Sequence, residues 1–302
     1  MKIQKVIPSG YCKGVVRAIN LVKQTRLQNP DEPIYVLGMI VHNTYITKAL
    51  AYHNIVTLDD SHKTKEELID QINDGIIIFT AHGIADYLKE KVIAKGLRYV
   101  DASCIDVIKT KDIVKEKLKE DYEILYIGKK HHPEAEAVLA ESPRIHLITK
   151  IEDVDALGDY PKVFVTNQTT MSILEIHKIF ERIKEKYPHA YVQPEICNAT
   201  SARQQATIDL KDCDLLYIVG DPKSNNSNKL KEIAIQNGIP KVRLIGAAFE
   251  IEECDLQDVE NVYVTAGAST PTYLTNQVIE TLNIYNETRE LKKPDVDLSQ
   301  II

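Results

Sequence analysis

Three of the five cysteines in this 302-residue chain, Cys12, Cys104 and Cys197, lie 92 and 93 residues apart. Each precedes a segment with helical apolar spacing: Val15, Ala18, Ile19 and Val22 after the first, Val107, Val114 and Leu118 after the second. The set after the third, Ala202, Ala206 and Leu210, is weaker. A lone cysteine is usually a small buried residue. Three at matching positions suggest more, because a helix N-terminus favours the thiolate, and thiolates bind metals. Three soft sulfur ligands suit zinc or an iron–sulfur cluster. A structural site would normally be closed by a fourth ligand, whereas three thiolates on a four-iron cluster leave one iron open. No CxxC pair is present, which argues against a zinc ribbon or thioredoxin motif. Cys213 and Cys254 break the rhythm and read as packing or incidental.

Other reactive side chains keep the same beat. Four residues after Gly38, Gly128 and Gly220 come His42, His132 and Ser224. Downstream of Thr80, Thr166 and Thr265 come short polar loops carrying His82, Thr169 and Ser269. With Asn226, these side chains offer many hydrogen-bond donors to a phosphate or diphosphate, whose oxygens accept several bonds each. Glu134, in HHPEAEA, is either an exposed acid at a helix start or, in a polar pocket, a proton donor to a leaving hydroxyl. GDPKSNNSNKL lacks the GxxxxGK[ST] spacing, which disfavours an NTPase. The small residues of GASTP are expected to let a ligand approach the backbone.

Short β-branched and aromatic runs must position these loops. PIYVLG, EILYIG and LLYIVG end in glycine, and IIIFT, VFVT and VYVT end in threonine. Such runs read as buried parallel strands. The period is too long for a solenoid and suits three similar α/β units, residues 1–103, 104–196 and 197–282, with a charged tail at 283–302 that packs on the body or is mobile. Open parallel sheets bind ligands beyond their carboxyl ends. The expected fold class is therefore α/β, with three units in pseudo-threefold arrangement pointing their loops at one centre.

Hydrophobic content of 44%, charged content of 27% and a net charge of −7 are those of a globular chain without the basic face that nucleic-acid binding needs. No apolar run is long enough for a membrane span, and the N-terminus lacks a signal-peptide pattern. The expected compartment is the reducing cytoplasm, where disulfides are disfavoured.

The segments GYCKGVVRAI, MIVHN, FTAHG, DASC, HHPEAEA, VTNQTT, EICNATSARQ, KSNNSNKL and AGASTP, in this order from residue 10 to about 271, resemble the 4-hydroxy-3-methylbut-2-enyl diphosphate reductases. VTNQTTMS, GDPKSNNSNKL and GASTPT are most similar to the Gram-positive branch. The resemblance implies one [4Fe–4S] cluster on Cys12, Cys104 and Cys197, with one open iron. It implies diphosphate binding by His42, His82, His132, Ser224, Asn226 and Ser269, with Asn225 beside them. It implies proton delivery by Glu134, with His132 also part of the catalytic set. Thr169 would orient the substrate hydroxyl, and Thr200 would lie near the pocket. The implied reaction removes the hydroxyl of an allylic diphosphate as water, using two electrons and two protons. The implied electron donor is a flavodoxin or ferredoxin, since no flavin or nicotinamide motif is visible, and the chain is expected to be a monomer. Ser103, Ile105 and Ala137 depart from the family pattern and bear on loop rigidity. Alternatives are a cluster-containing sensor without turnover, a three-cysteine zinc enzyme, and a reductase of another allylic diphosphate.

Overall fold

The computed structural model describes residues 1–171, 173–194 and 197–302. Strand β1 (Lys2–Lys5) leads through Cys12 into helix α1 (Lys13–Gln28). There follow β2 (Ile34–Leu37), α2 (Thr44–Tyr52), β3 (Val56–Leu58), α3 (Lys65–Asp70), β4 (Ile76–Phe79), α4 (Asp86–Ala94) and β5 (Arg98–Asp101). The pattern continues through α5 (Ile105–Lys119), β6 (Glu123–Ile127), α6 (Pro133–Leu139), β7 (Ile145–Ile148), α7 (Ile151–Asp155), β8 (Val163–Asn167), α8 (Ile173–Lys186) and β9 (Tyr191–Val192). Last come α9 (Asn198–Ile208), β10 (Leu215–Val219), α10 (Asn225–Gln236), β11 (Lys241–Ile245), β12 (Asn261–Ala266) and α11 (Thr272–Thr288).

The strands form three four-stranded parallel sheets, ordered β3-β2-β4-β5, β7-β6-β8-β9 and β11-β10-β12-β1. Each is the same sheet in topology, with the apolar runs at its centre: β4, β8 and β10 are buried along their whole length. Helices cover these strands because a parallel sheet needs both faces shielded from water.

The expected unit boundaries shift. β1 pairs with β12, Lys2 opposite Asn261 through Lys5 opposite Val264, so the chain's first strand is the fourth strand of the last sheet. KIQK has no apolar run to betray this, because an edge strand is stabilised mainly by its ladder. With β1 so placed, each cysteine follows the fourth strand of a sheet. The chain divides into two compact units: residues 1–16, 41–55 and 198–302 form one, and 17–40 with 56–197 form the other. The first holds the β1-containing sheet and the second holds the other two. α2 belongs to the first because the Thr44 N–H and hydroxyl both donate to the Asp221 carboxylate, at 2.7 and 2.6 Å. Burial alone would raise that carboxyl group's pKa, but these bonds and the Lys223 N–H keep it below the usual range.

The tail is packed. Ile301 is 3% exposed, and the Tyr11 hydroxyl donates to its carbonyl at 3.1 Å. No helix is long and apolar enough to cross a membrane among the described residues.

Two glycines are explained by one serine. A Cβ on Gly220 or Gly267 would stand 2.3 or 2.2 Å from Ser227 Oγ, which lies against the ends of β10 and β12. GASTP thus begins with a glycine that admits a helix side chain. Gly267→Ala should destabilise the chain by about 1–3 kcal/mol through overpacking. Adding Ser227→Ala, whose own Cβ stays 3.4 Å away, should recover most of the loss in chemical denaturation.

Candidate functional site

Each cysteine sits between a fourth strand and the helix that follows it, and each makes the same backbone bond. The Cys104 N–H donates to Ala81 O at 2.9 Å, the Cys197 N–H to Thr169 O at 3.2 Å, and the Cys12 N–H to Ala268 O at 3.1 Å. Those three acceptors lie in the loops leaving β4, β8 and β12, which also carry His82, Thr169 and Ser269. All three cysteines are half-buried thiols. The Cys12 sulfur accepts from the Val15 N–H at 3.5 Å, within the first turn of α1. Soft donors at helix starts, fixed by their backbones, fit an iron–sulfur cluster. No three His, Cys, Asp or Glu side chains form a single-ion site among the described residues.

In the unit of residues 17–40 and 56–197, the chemistry gathers around Glu134. Its carboxyl group is 2% exposed. Oε1 accepts from the Thr169 N–H at 2.8 Å and from the Tyr126 hydroxyl at 3.4 Å, and Oε2 accepts from the Thr169 hydroxyl at 3.0 Å. Burial raises its pKa to about 7, although these three bonds favour the carboxylate. It is thus poised to hold a proton near neutral pH and release it. His132 caps α6, its Nδ1 accepting from the Glu134 N–H at 3.2 Å, which leaves Nε2 as the protonated nitrogen of the neutral ring. The His82 ring stands perpendicular to it with centroids 5.7 Å apart, and Thr80 Oγ1 lies 3.3 Å from His82 Nδ1.

In the other unit, Ser224 caps α10 by accepting from the Ser227 N–H, and Asn225 is buried beside it. Asn226 is 5% exposed, and among the described residues neither its Oδ1 nor its Nδ2 has a hydrogen-bond partner. A buried amide left unsatisfied is costly, so this side chain fits a polar ligand such as a phosphate. The Ser269 hydroxyl donates to His42 O at 3.1 Å, joining two of the expected phosphate-binding loops. Asn43, not His42, caps α2. Thr200 is buried in the first turn of α9. The expected site residues therefore form two sets, one in each unit.

Sequence reasoning missed two supports. Tyr126 reads as strand filler in EILYIG, and the usable clue is that a buried tyrosine hydroxyl needs a partner. Lys111, on α5, is 9% exposed, and its Nζ donates to Ile84 O, Asp86 Oδ1 and Glu141 Oε1, each at 2.8 Å. It ties the loop carrying His82 to the end of α6. The three departures are accommodated. The Asp101 carboxylate accepts from the Ser103 N–H and hydroxyl at 2.9 and 2.5 Å, Ile105 is 66% exposed, and Ala137 lies beside Gly83. Ser172, Glu195 and Ile196 of the quoted segments lie outside the described residues.

The buried Glu134 carboxyl group binds its proton more tightly in the folded chain than in the unfolded one. Its contribution therefore becomes unfavourable as pH rises from about 4 to about 7, by on the order of 3 kcal/mol. Glu134→Gln should melt higher than the parent at pH 8 and close to it at pH 4.5, as calorimetry at the two pH values would show.

Comparison with known proteins agrees with this architecture. The LytB protein family matches residues 3–283. A 4-hydroxy-3-methylbut-2-enyl diphosphate reductase from Geobacillus sp. is 44% identical over 290 residues, 95% of this chain and 91% of that protein. One from Bacillus cytotoxicus is 44% identical over 310 residues, 100% of this chain and 98% of that protein. The solved E-1-hydroxy-2-methyl-but-2-enyl-4-diphosphate reductase of Plasmodium falciparum superposes with a TM-score of 0.87 at 31% identity, covering 98% of this chain and 95% of that one. A second solved reductase, described as the terminal enzyme of the non-mevalonate pathway, gives a TM-score of 0.67 at 26% identity, over 94% and 99% of the two chains. On sequence, sheet topology and the order of its motifs, this chain belongs to the LytB family, on the branch of the Bacillus-like Gram-positive bacteria.

Proposed function

We propose that this chain reduces (E)-4-hydroxy-3-methylbut-2-enyl diphosphate to isopentenyl and dimethylallyl diphosphate, the terminal step of the non-mevalonate route to isoprenoids. Its near-full-length relatives carry that activity in their names. The observation that carries the reading is Glu134, a buried carboxyl group with its pKa near 7 beside a threonine that can also meet a substrate hydroxyl. The reaction consumes two electrons and two protons, breaks the allylic C–O bond and releases water.

Cys12, Cys104 and Cys197 hold one [4Fe–4S] cluster with one iron open. When bound, that cluster supplies the electrons and a Lewis-acidic iron for the hydroxyl group. Glu134 delivers a proton to the departing hydroxyl, and Thr169 orients that hydroxyl toward it. His132 takes part beside Glu134, whose N–H donates to its Nδ1. His42, His82, His132, Ser224, Asn226 and Ser269, with Asn225 beside them, bind the diphosphate, and Thr200 lies near the pocket. Holding both ends of the substrate converts binding into orientation. The electrons come from a flavodoxin or ferredoxin. The chain works as a monomer in the reducing cytoplasm.

Anaerobically purified protein should contain about four irons and four sulfides per chain, as a four-iron cluster requires. It should also turn over the allylic diphosphate with a reduced donor. One tightly bound zinc per chain would overturn the reading, and a cluster without turnover would favour a sensor. Glu134→Gln should lower kcat by about 100-fold or more, the usual size of a general-acid contribution. Asn226→Ala should raise KM about tenfold with little change in kcat, since it removes binding common to ground and transition states.

A further inference from the structure

Arg203 and Arg17 each follow one cysteine and grip the chain just ahead of another. Arg203 lies in the second turn of α9, six residues after Cys197, and is 4% exposed. Its Nη2 donates to Gly10 O at 2.5 Å and its Nη1 to Ala199 O at 2.7 Å. Gly10 stands two residues before Cys12 with φ +78°, a conformation in which a side chain would be strained. Arg17 lies in the second turn of α1, five residues after Cys12, and its Nη1 donates to Ser103 O at 2.7 Å. Ser103 immediately precedes Cys104.

The peptide that enters Cys104 is therefore held at both edges. Its C=O accepts from Arg17, and its N–H, that of Cys104, donates to Ala81 O at 2.9 Å. The Cys12 arm is gripped similarly. Gly10 O accepts from Arg203, the Cys12 N–H donates to Ala268 O, and the intervening Tyr11 hydroxyl donates to Ile301 O. A guanidinium is always charged, and its fixed fork sets the direction of the carbonyl it binds. Two structural results follow. The thiol-bearing residues cannot rotate freely about their entering peptides, and each gains a permanent positive charge one or two residues away. A nearby cation favours the more electron-rich state of any redox group bound there.

The geometry points to Arg17 and Arg203 as positioning residues for the cluster-holding cysteines: they fix the Cys104 and Cys12 arms and raise the reduction potential of what those arms hold. This rests on the reading that these cysteines bind a [4Fe–4S] cluster. Glu195 and Ile196 lie outside the described residues, and the assignment covers Cys12 and Cys104.

The test compares anaerobic holoprotein of the parent with Arg17→Gln, Arg17→Lys and Arg203→Gln. Arg26→Gln serves as control. Arg26 sits at the far end of α1, and its Nη1 also donates to backbone carbonyls, those of Asn29, Pro30 and Glu32. Iron release to a chelator and the midpoint potential are measured alongside the melting temperature. Arg17→Gln and Arg203→Gln should release iron about tenfold faster than the parent, the low end of what support-residue changes cost metal sites. Both should shift the midpoint negative, with Arg17→Lys recovering the potential more than the release rate. Arg26→Gln should change neither, even if its melting temperature falls. Parent-like release and midpoint in Arg17→Gln would overturn the proposal, as would an equal effect from Arg26→Gln. Because Arg203 is buried, Arg17→Gln decides the matter if Arg203→Gln does not fold. A parent chain without four irons, or Cys104→Ser with full iron, would sink the cluster reading itself and the proposal with it.

Discussion

The backbone bond from each cysteine N–H to the carbonyl of a strand-exit loop is the constraint on which the rest of the site depends. It is made after β5 to Ala81, after β9 to Thr169 and after β1 to Ala268. A cysteine at a chain reversal could otherwise swing with its loop, and the thiol would face no particular direction. Tying its N–H to the neighbouring loop fixes the thiol relative to the polar side chain one residue along: His82 after Ala81, Ser269 after Ala268, and Thr169 itself. The same bond thus places a soft donor and a hydrogen-bonding side chain together three times. It is available because parallel strands end at a common level, so their exit loops lie side by side.

The acid is built by a balance of opposite effects. Burial pushes Glu134 toward its neutral form, while Thr169 and Tyr126 donate three hydrogen bonds that favour the carboxylate. Burial wins by enough to bring the group near neutral pH. The hydrogen bonds still fix the carboxyl plane, so the proton is held in a defined direction. Behind this arrangement sits Lys111, whose ammonium group donates to Ile84 O and Asp86 Oδ1 at the start of α4 and to Glu141 Oε1 after α6. Removing one partner from such a buried cation would leave an uncompensated charge, which is expensive.

The six central strands and the three-sheet count were legible in the chain, and so were the residue types of the candidate site. Buried parallel strands must be apolar on both faces, and PIYVLG, IIIFT, EILYIG, VFVT, LLYIVG and VYVT are. The edge strands β1, β3, β5, β7, β9 and β11 were not legible, and β1, KIQK, takes its order from its ladder to β12. The small residues of GASTP were read as letting a ligand approach the backbone, and only packing reveals that Ser227 Oγ lies where a Gly267 side chain would begin. Tyr126 and Lys111 escaped for the same reason: their roles depend on partners from other elements, and no spacing rule encodes them.

The sequence by itself determined which residues could do chemistry and that they recur with a common period, because covalent spacing and side-chain type are local properties. It also determined the central strands, since hydrophobic burial leaves a one-dimensional pattern. Only the tertiary structure decided that the first strand completes the last sheet and that α2 joins the unit holding Asp221. It alone placed Glu134 under Thr169 and Tyr126 with a pKa near 7. Those outcomes arise from hydrogen bonds and desolvation between residues far apart in the chain, and such energies exist only once the chain has folded.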